Sequence, residues 1–203
     1  MKGRRSLTST AITSSTLLYK GWGSLTQHVF RYRRVDGATA VMSREVYDRG
    51  HAASVLLHNP SEDTVVLVRQ FRPAPMVNGD DPYMLEACAG ILEGDEPEQC
   101  VRREALEEAG VVVKDLKFVA AAYGNPAGLT EVVSMFVGSY GEDDRSAGGG
   151  LAHEGEDIEV VEVPFQAAFD MIASGDIVDM KTIILLQHMM IERMRATSHA
   201  KRD

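Results

Sequence analysis

Residues 97–110 place three glutamates on one side of a short helix, an arrangement that a helix does not favour by itself. Proline is tolerated in the first turn of a helix and glycine readily adopts the left-handed cap conformation, so Pro97 and Gly110 indicate the two ends. Glu104, Glu107 and Glu108 are three and four residues apart, so their side chains point to roughly the same side. Like charges at this spacing destabilise a helix by about 0.2–0.5 kcal/mol per pair, and acids near its C-terminus also oppose the helix dipole.

This cluster of carboxylates has two interpretations. The simpler is a solvated acidic face, which the spacing E-x-x-E-E favours when it is considered alone. The second is a site for a hard divalent cation, because Mg²⁺ prefers carboxylate oxygens and its charge would turn the repulsion into attraction. The residues on either side of the helix favour the second interpretation.

Residues 89–111 resemble the Nudix box, a motif written G-x5-E-x7-R-E-U-x-E-E-x-G-U in which U is aliphatic. The second half of the motif agrees from Arg103 onward. The first half differs: Asp95 stands eight positions before Arg103, and Ala89 occupies the place of the first glycine, with a glycine one place later. Either the loop is one residue shorter, or Glu96 takes the place of the motif's first glutamate.

Five further segments resemble the sugar-nucleotide branch of the Nudix hydrolases, which is related to the ADP-ribose pyrophosphatases. They are residues 44–50, 68–72, 88–90, 148–150 with 156–160, and 180–182. The similarity extends from about residue 18 to residue 192. It implies the Nudix fold, an α/β architecture in which a mixed β-sheet lies between helices, with an N-terminal extension of antiparallel strands.

The resemblance implies a Mg²⁺-dependent enzyme, with Mn²⁺ as an alternative ion, that hydrolyses the pyrophosphate bond of a nucleoside diphosphate sugar. GDP-mannose, cleaved to GMP and mannose 1-phosphate, is the expected substrate, and ADP-ribose is the alternative. A non-catalytic sensor of nucleotide sugars on the same fold is the alternative from another class. The three glutamates argue against a sensor, because it could lose them without losing its ligand.

The resemblance also assigns the residues of the reaction. The expected metal ligands are oxygen atoms of four residues: Ala89 (its carbonyl), Glu104, Glu108 and Glu156. Glu154 is the alternative to Glu156 for the acid of the later loop. Glu108 and Glu156 are also expected to be catalytic, together with Glu107. Arg103, four residues before Glu107, either orients that glutamate or forms a plain surface pair with it. Divalent ions and carboxylates together neutralise phosphate charge and activate water.

Six residues are expected, from the resemblance, to contact the substrate: Trp22, Arg44, Glu45, Arg72, Glu131 and Lys181. Arg72 is the expected phosphate ligand, because a guanidinium donates two parallel hydrogen bonds. Trp22 is expected to stack on the base. The ordinary alternatives are an exposed arginine and a packing tryptophan. The glycines at 148–150 indicate either a mobile loop that closes over the substrate or a plain turn.

Composition limits the class of protein. A chain of 203 residues with 44% hydrophobic and 25% charged residues is typical of a globular protein with one substantial core. The first 35 residues contain seven basic and no acidic residues, so the rest is strongly acidic and argues against nucleic acid binding. No apolar run approaches the ~20 residues of a membrane span. Cys88 and Cys100 are too few for a disulfide scaffold and indicate a reducing cytoplasm.

The sequence divides into four segments: residues 1–16 as a disordered extension, 17–50 as strands for dimerisation, 51–195 as the Nudix domain and 196–203 as a disordered tail. The patterns predict strands at 27–36, 39–47, 53–58, 64–71, 116–123, 132–140 and 158–163, and helices at 97–109, 165–173 and 180–195. The resemblance implies a homodimer in which the N-terminal strands complete the neighbour's site. The basic segment before Asp36 would be attracted to an acidic partner.

Overall fold

The computed structural model describes residues 10–146, 148–150 and 157–200, and these fall into two compact units. The first unit contains the described residues up to His51 together with Tyr123–Val132. The second unit contains Ala52–Ala122 and the described residues from Val133 onward.

The first unit is built on an antiparallel sheet of three ten-residue strands: β1 (Ala11–Lys20), β2 (Ser24–Arg33) and β3 (Thr39–Asp48). β2 lies in the middle. Asp36 and Gly37 form the turn between β2 and β3, as predicted: Gly37 has a φ of 88°, and the Asp36 carboxylate accepts a hydrogen bond from the N–H of Ala38. No residue of the three strands is buried, so this sheet does not enclose a hydrophobic core.

Two predicted segment boundaries are wrong. Residues 11–16 were predicted to be disordered but form the first half of β1, because their backbone groups pair with β2 from Ala11 opposite Arg31 onward. Residues 196–200 were predicted to be a disordered tail but continue the C-terminal helix, whose last described residue is Ala200. Residues 1–9 and 201–203 lie outside the described residues.

The second unit contains a mixed sheet of seven strands, as the resemblance implies. They are β4 (Ala52–Asn59), β5 (Thr64–Phe71), β6 (Tyr83–Glu86), β7 (Cys88–Ile91), β8 (Leu116–Tyr123), β9 (Val132–Ser139) and β10 (Glu159–Pro164). The order is β10-β5-β4-β9-β8, with β6 also pairing with β5 and β7 with β4. β4 runs parallel to β9, whereas β5 is antiparallel to both β4 and β10.

Helices pack on both faces of this sheet. α2 (Pro97–Ala109) lies on one face, and α3 (Phe165–Ser174) and α4 (Met180–Ala200) lie on the other. A short helix, α1 (Pro73–Asn78), has no buried residue. Side chains alternate along β4, so Val55 belongs to the core shared with α2, whereas Leu56 belongs to the core shared with α3 and α4. Among the described residues, no helix is long and apolar enough to cross a membrane. Cys88 and Cys100 are buried and free, as predicted.

Helix α2 has the predicted ends. Glu96 precedes it with extended dihedral angles, and Gly110 follows it in the left-handed region with a φ of 66°. The N–H groups of Gly110 and Val111 donate to carbonyls of the last helical turn at 3.0 and 2.9 Å. The short elements β6, β7 and α1 were not predicted, because four to six residues are too few to show a periodic pattern.

Candidate active site

The two glutamates predicted to bind metal are buried where α2 meets β7. Glu104 is 8% exposed and Glu108 is 2% exposed, whereas the side chain of Glu107 is partly exposed. One oxygen of Glu108 accepts a hydrogen bond from the N–H of Ala89 at 3.0 Å, and the other accepts one from the amide of Gln70 at 3.2 Å. The structure therefore excludes a solvated acidic face for Glu104 and Glu108.

The electrostatics of this pair suit a bound cation. The pKa of Glu108 is raised to about 7: burial is the largest cause and the charge of Glu104 acts in the same direction, while the hydrogen bonds from Ala89 and Gln70 oppose them. Two carboxylates one turn apart and shielded from water are costly to ionise together. A divalent cation bound to both would remove that cost, because its charge favours the ionised form of each.

The described part of the chain holds only some of the predicted metal ligands. Glu104, Glu108 and the carbonyl of Ala89 are described, and their oxygen donors fit a hard cation. Glu156 and its alternative Glu154 lie outside the described residues. Within the described ranges, no three Asp, Glu, His or Cys side chains converge in a metal-binding cluster.

Arg103 joins the acids of α2 to the loop before the helix. Its guanidinium lies 2.8 Å from Glu104 and 3.1 Å from Glu107, so the expected contact with Glu107 is present. It also lies 3.5 Å from the carboxylate of Asp95. Asp95 and Glu96 are the two candidates for the first acid of the Nudix box. Asp95 contacts Arg103, whereas Glu96 occupies the N-cap position of α2.

Gly90 in β7 makes room for the Glu104 side chain. A Cβ atom at this position would overlap the Glu104 carboxylate. Glycine is therefore needed at this position because a larger residue would not fit opposite the face of α2 that carries Glu104.

Replacing Gly90 with Ala should lower kcat by about 100-fold, because a displacement of about 1 Å at a reacting centre has an effect of this size. The variant should also need more divalent metal for half-maximal activity, since Glu104 is displaced. A metal titration of the initial rate measures both effects. Gly141→Ala is the matched control, because the nearest atom to its added Cβ is 3.4 Å away. Wild-type metal dependence in the Gly90 variant would contradict the proposed role of Glu104.

Arg72 and Lys181, both predicted to bind substrate, contact the same buried carboxylate, that of Glu86, which is not part of any motif found in the sequence. Arg72 donates from Nε and Nη2 to the two oxygens of Glu86 at 2.8 and 3.0 Å. The Nζ of Lys181 donates to Glu86 at 2.5 Å and to Asp179 at 2.9 Å. Asp179, the residue before α4, also accepts hydrogen bonds from the N–H and hydroxyl of Thr182, so its carboxylate caps the N-terminus of the helix. These contacts link the ends of β5, β6 and α4 in one polar cluster.

The other four predicted substrate contacts lie in the first unit. Trp22 follows β1 and is 76% exposed, and the guanidinium carbon of Arg49 lies 3.5 Å from the centre of its ring. Arg44 and Glu45 are exposed on β3. Glu131, far away in sequence, is also in this unit. Arg49 was not predicted, since no spacing rule connects it with Trp22.

Hydrogen bonds hold the segment before Glu131 against the end of β3. The N–H of Tyr47 donates to the carbonyl of Gly128 at 2.8 Å, and the N–H of Thr130 donates to the carbonyl of Tyr47 at 3.1 Å. The hydroxyl of Thr130 donates to Asp48 at 2.6 Å. The first unit therefore brings Glu131 to the end of β3, which Asp48 terminates.

The glycines at 148–150 cap the C-terminus of α2. The N–H of Gly149 donates to the carbonyl of Glu108 at 2.9 Å, and the N–H of Gly150 donates to that of Glu107 at 3.0 Å. Gly149 and Gly150 have φ values of 129° and 76°, which favour glycine. These residues thus support the helix that carries the acids. Loop closure over the substrate stays a prediction, since residues 151–156 lie outside the described residues.

Comparisons with known proteins place the chain in a family. A family model described as the NUDIX domain matches residues 48–182. The chain belongs to the Nudix family. The preceding part of this Nudix protein, residues 10–47, matches the model of the GDP-mannose pyrophosphatase NudK N-terminal domain. The family and fold predicted from the box are therefore confirmed, and Nudix hydrolases generally use divalent metal ions.

Nudix relatives cover nearly the whole chain. A GDP-mannose pyrophosphatase from Klebsiella pneumoniae subsp. pneumoniae is 42% identical over 193 residues, which are 95% of this chain and 97% of the relative. A protein of the same name from Escherichia coli O1:K1 is 41% identical over 185 residues, 90% and 96% of the two chains. The crystal structure of an ADP compounds hydrolase has a TM-score of 0.69 and 18% identity, and covers 94% of this chain and 98% of its own. That likeness supports the fold.

Proposed function

We propose that this Nudix hydrolase cleaves the pyrophosphate bond of GDP-mannose to give GMP and mannose 1-phosphate. The observation that carries the proposal is the buried pair Glu104 and Glu108, which supplies acidic oxygens for a cation at the position where the family's motif requires them. Relatives that share 41–42% of their residues with nearly the whole chain are named for GDP-mannose, which supports that substrate.

The buried carboxylates of Glu104 and Glu108 support an activity that depends on Mg²⁺, with Mn²⁺ as the alternative ion. We place Glu104, Glu108 and the carbonyl of Ala89 among its ligands, together with Glu156 or its alternative Glu154. When bound, the cation would offset the negative charge of the pyrophosphate and lower the pKa of the attacking water.

The side chains of the second unit supply binding and proton transfer. A guanidinium has five N–H donors and an ammonium has three, so Arg72 keeps three and Lys181 keeps one after their bonds within the polar cluster. We assign these free donors to phosphate oxygens. The oxygen of water attacks one phosphorus, the bond from that phosphorus to the bridging oxygen breaks, and a proton passes from water to a carboxylate. Glu156 is the proposed acceptor, with Glu107 as a second acid held by Arg103.

The residues of the first unit supply the proposed nucleotide contacts. Trp22 is largely exposed and Arg49 covers one face of its ring, so the opposite face is available for stacking on a base. We propose that Arg44, Glu45 and Glu131 contact the rest of the nucleotide sugar.

We further propose that the enzyme is a cytoplasmic homodimer with shared sites. No residue of β1, β2 or β3 is buried, and β1 exposes Ile12, Leu17 and Tyr19. A small sheet that buries none of its residues gains stability by packing against another element, and a second copy of the chain offers one. The two free thiols suit a reducing compartment.

The kcat/KM for GDP-mannose should exceed that for ADP-ribose by about tenfold or more, because polar contacts to one base discriminate strongly against another. Phosphate released by a coupled phosphatase, measured over a panel of nucleotide sugars with and without Mg²⁺, tests this. A preference for ADP-ribose would keep the Nudix chemistry and reject the substrate. Tight binding of nucleotide sugars without any turnover would favour the sensor.

A further inference from the structure

Glu86 lies between two cations and uses both of its oxygens to bind them. Its side chain is 3% exposed. Oε1 accepts the Nε–H of Arg72, and Oε2 accepts both the Nη2–H of Arg72 and the ammonium of Lys181. A bidentate contact of this kind fixes the plane of the guanidinium as well as its position.

The backbone around Glu86 is itself held in place. Glu86 pairs with Val68 across β5 and β6, and the N–H of the next residue, Ala87, donates to the hydroxyl of Thr182 at 2.8 Å. The first turn of α4 is therefore tied directly to the end of β6. Burial alone would raise the pKa of Glu86, but its hydrogen bond from Arg72 and the charge of Lys181 outweigh burial and lower the pKa, so the carboxylate stays ionised.

We propose that Glu86 is a positioning residue that holds Arg72 and Lys181 side by side as a two-point site for one phosphate group. The proposal rests on the proposed function, which supplies the phosphate. The bonds to Glu86 leave donors free on both cations. The side chains of Arg72 and Lys181 are thus already oriented and ionised before the substrate binds, which lowers the entropic cost of binding.

The other carboxylates whose charges act on Arg72 are Glu108 and Asp179. Arg72 nevertheless makes its two carboxylate hydrogen bonds with Glu86, a buried acid outside the Nudix box.

Glu86→Gln tests the proposal, because it keeps the size of the side chain and removes its charge. We expect KM for GDP-mannose to rise about tenfold or more with a smaller change in kcat, since the interaction lost is formed in the ground state. Glu162→Gln is the matched control: this carboxylate also accepts hydrogen bonds, from Thr64 and Tyr140, but does not contact Arg72 or Lys181. It should keep the wild-type KM. A wild-type KM in folded Glu86→Gln overturns the proposal.

Thermal melting shows whether the Glu86→Gln variant folds. If it does not fold, Glu86→Asp tests the positioning role instead. It keeps the charge but is one methylene shorter, so it cannot hold both cations in their places. We expect the KM of the folded aspartate variant for GDP-mannose to lie above the wild-type value. A wild-type KM in this variant would show that the spacing of the two cations does not matter, and would reject the positioning role.

Chemical labelling tests the same role without turnover. Reductive methylation of Lys181, followed by mass spectrometry of its peptide, reports whether inorganic pyrophosphate with Mg²⁺ covers the ammonium. We expect protection in the wild type and in Glu162→Gln, and its loss in Glu86→Gln. Equal protection in all three, or none in the wild type, overturns the proposal. If the wild type hydrolyses no nucleotide sugar, the proposed function fails while this measurement still decides the role of Glu86.

Discussion

Replacing Glu108 with Gln should lower kcat by about 10³-fold or more and also raise the melting temperature of the metal-free protein. Activity falls because the neutral amide cannot supply the ligand charge that the carboxylate brings. The fold should persist, since the amide can replace both hydrogen bonds of Glu108. Its oxygen accepts from the N–H of Ala89, and its nitrogen donates to Gln70 after a flip of that amide.

The gain in stability should depend on pH. Burial raises the pKa of Glu108 from its ordinary 4.5 to about 7 in the folded protein. The folded state therefore binds this proton more tightly than the unfolded chain, so the contribution to stability is complete below pH 4.5 and is lost as the pH rises to about 7. The loss amounts to at most about 3 kcal/mol. Thermal unfolding in a chelator should show Glu108→Gln and the wild type converging at low pH and separating through pH 7.

Glu98→Gln is the control for both measurements, because Glu98 is an exposed acid in the first turn of the same helix. It should match the wild type in kcat and in its pH-dependent melting temperature. Wild-type turnover in Glu108→Gln would reject the metal-site assignment. A metal-free variant that is less stable than the wild type at pH 8 would contradict the argument from burial.

Local signals in the sequence were sufficient for α2 and its acids. Pro97 and Gly110 mark the helix ends, and both act through their own backbone preferences. The spacing of Glu104 and Glu108 follows from the helical repeat alone. Their burial could not be predicted in the same way, because it depends on β7, where Gly90 leaves the space for Glu104.

The polar cluster around Glu86 lay beyond sequence reasoning because its contacts are non-local. Glu86 reaches Arg72 and Lys181, which belong to different elements, and no spacing rule connects residues so far apart in the chain. One signal was present in the sequence: Glu86 lies between the apolar residues Leu85 and Ala87. An acid buried between apolar residues needs hydrogen-bonding or charged partners. The stacking of Arg49 on Trp22 is non-local for the same reason.

Mixing subunits that carry Arg44→Ala with subunits that carry Glu108→Gln should restore activity that neither variant has alone. Arg44 belongs to the first compact unit and Glu108 to the second. In a dimer with shared sites, each site combines the first unit of one chain with the second unit of the other. Random exchange makes half of the dimers mixed, and each mixed dimer has one intact site, so we expect about a quarter of the wild-type activity.

Separate sites predict a different result, because every site would then contain one substituted residue and mixing would restore nothing. Glu104→Gln mixed with Glu108→Gln is the control, since both residues lie in the second unit and neither model allows recovery. Subunit exchange can be verified by differently tagged chains, which makes a lack of recovery informative. The β1–β3 sheet favours shared sites, because none of its residues is buried within one chain and the apolar side chains of Ile12, Leu17 and Tyr19 are exposed for contact with a second copy. A monomer by light scattering at the assay concentration, or verified exchange without recovery, would reject the shared site.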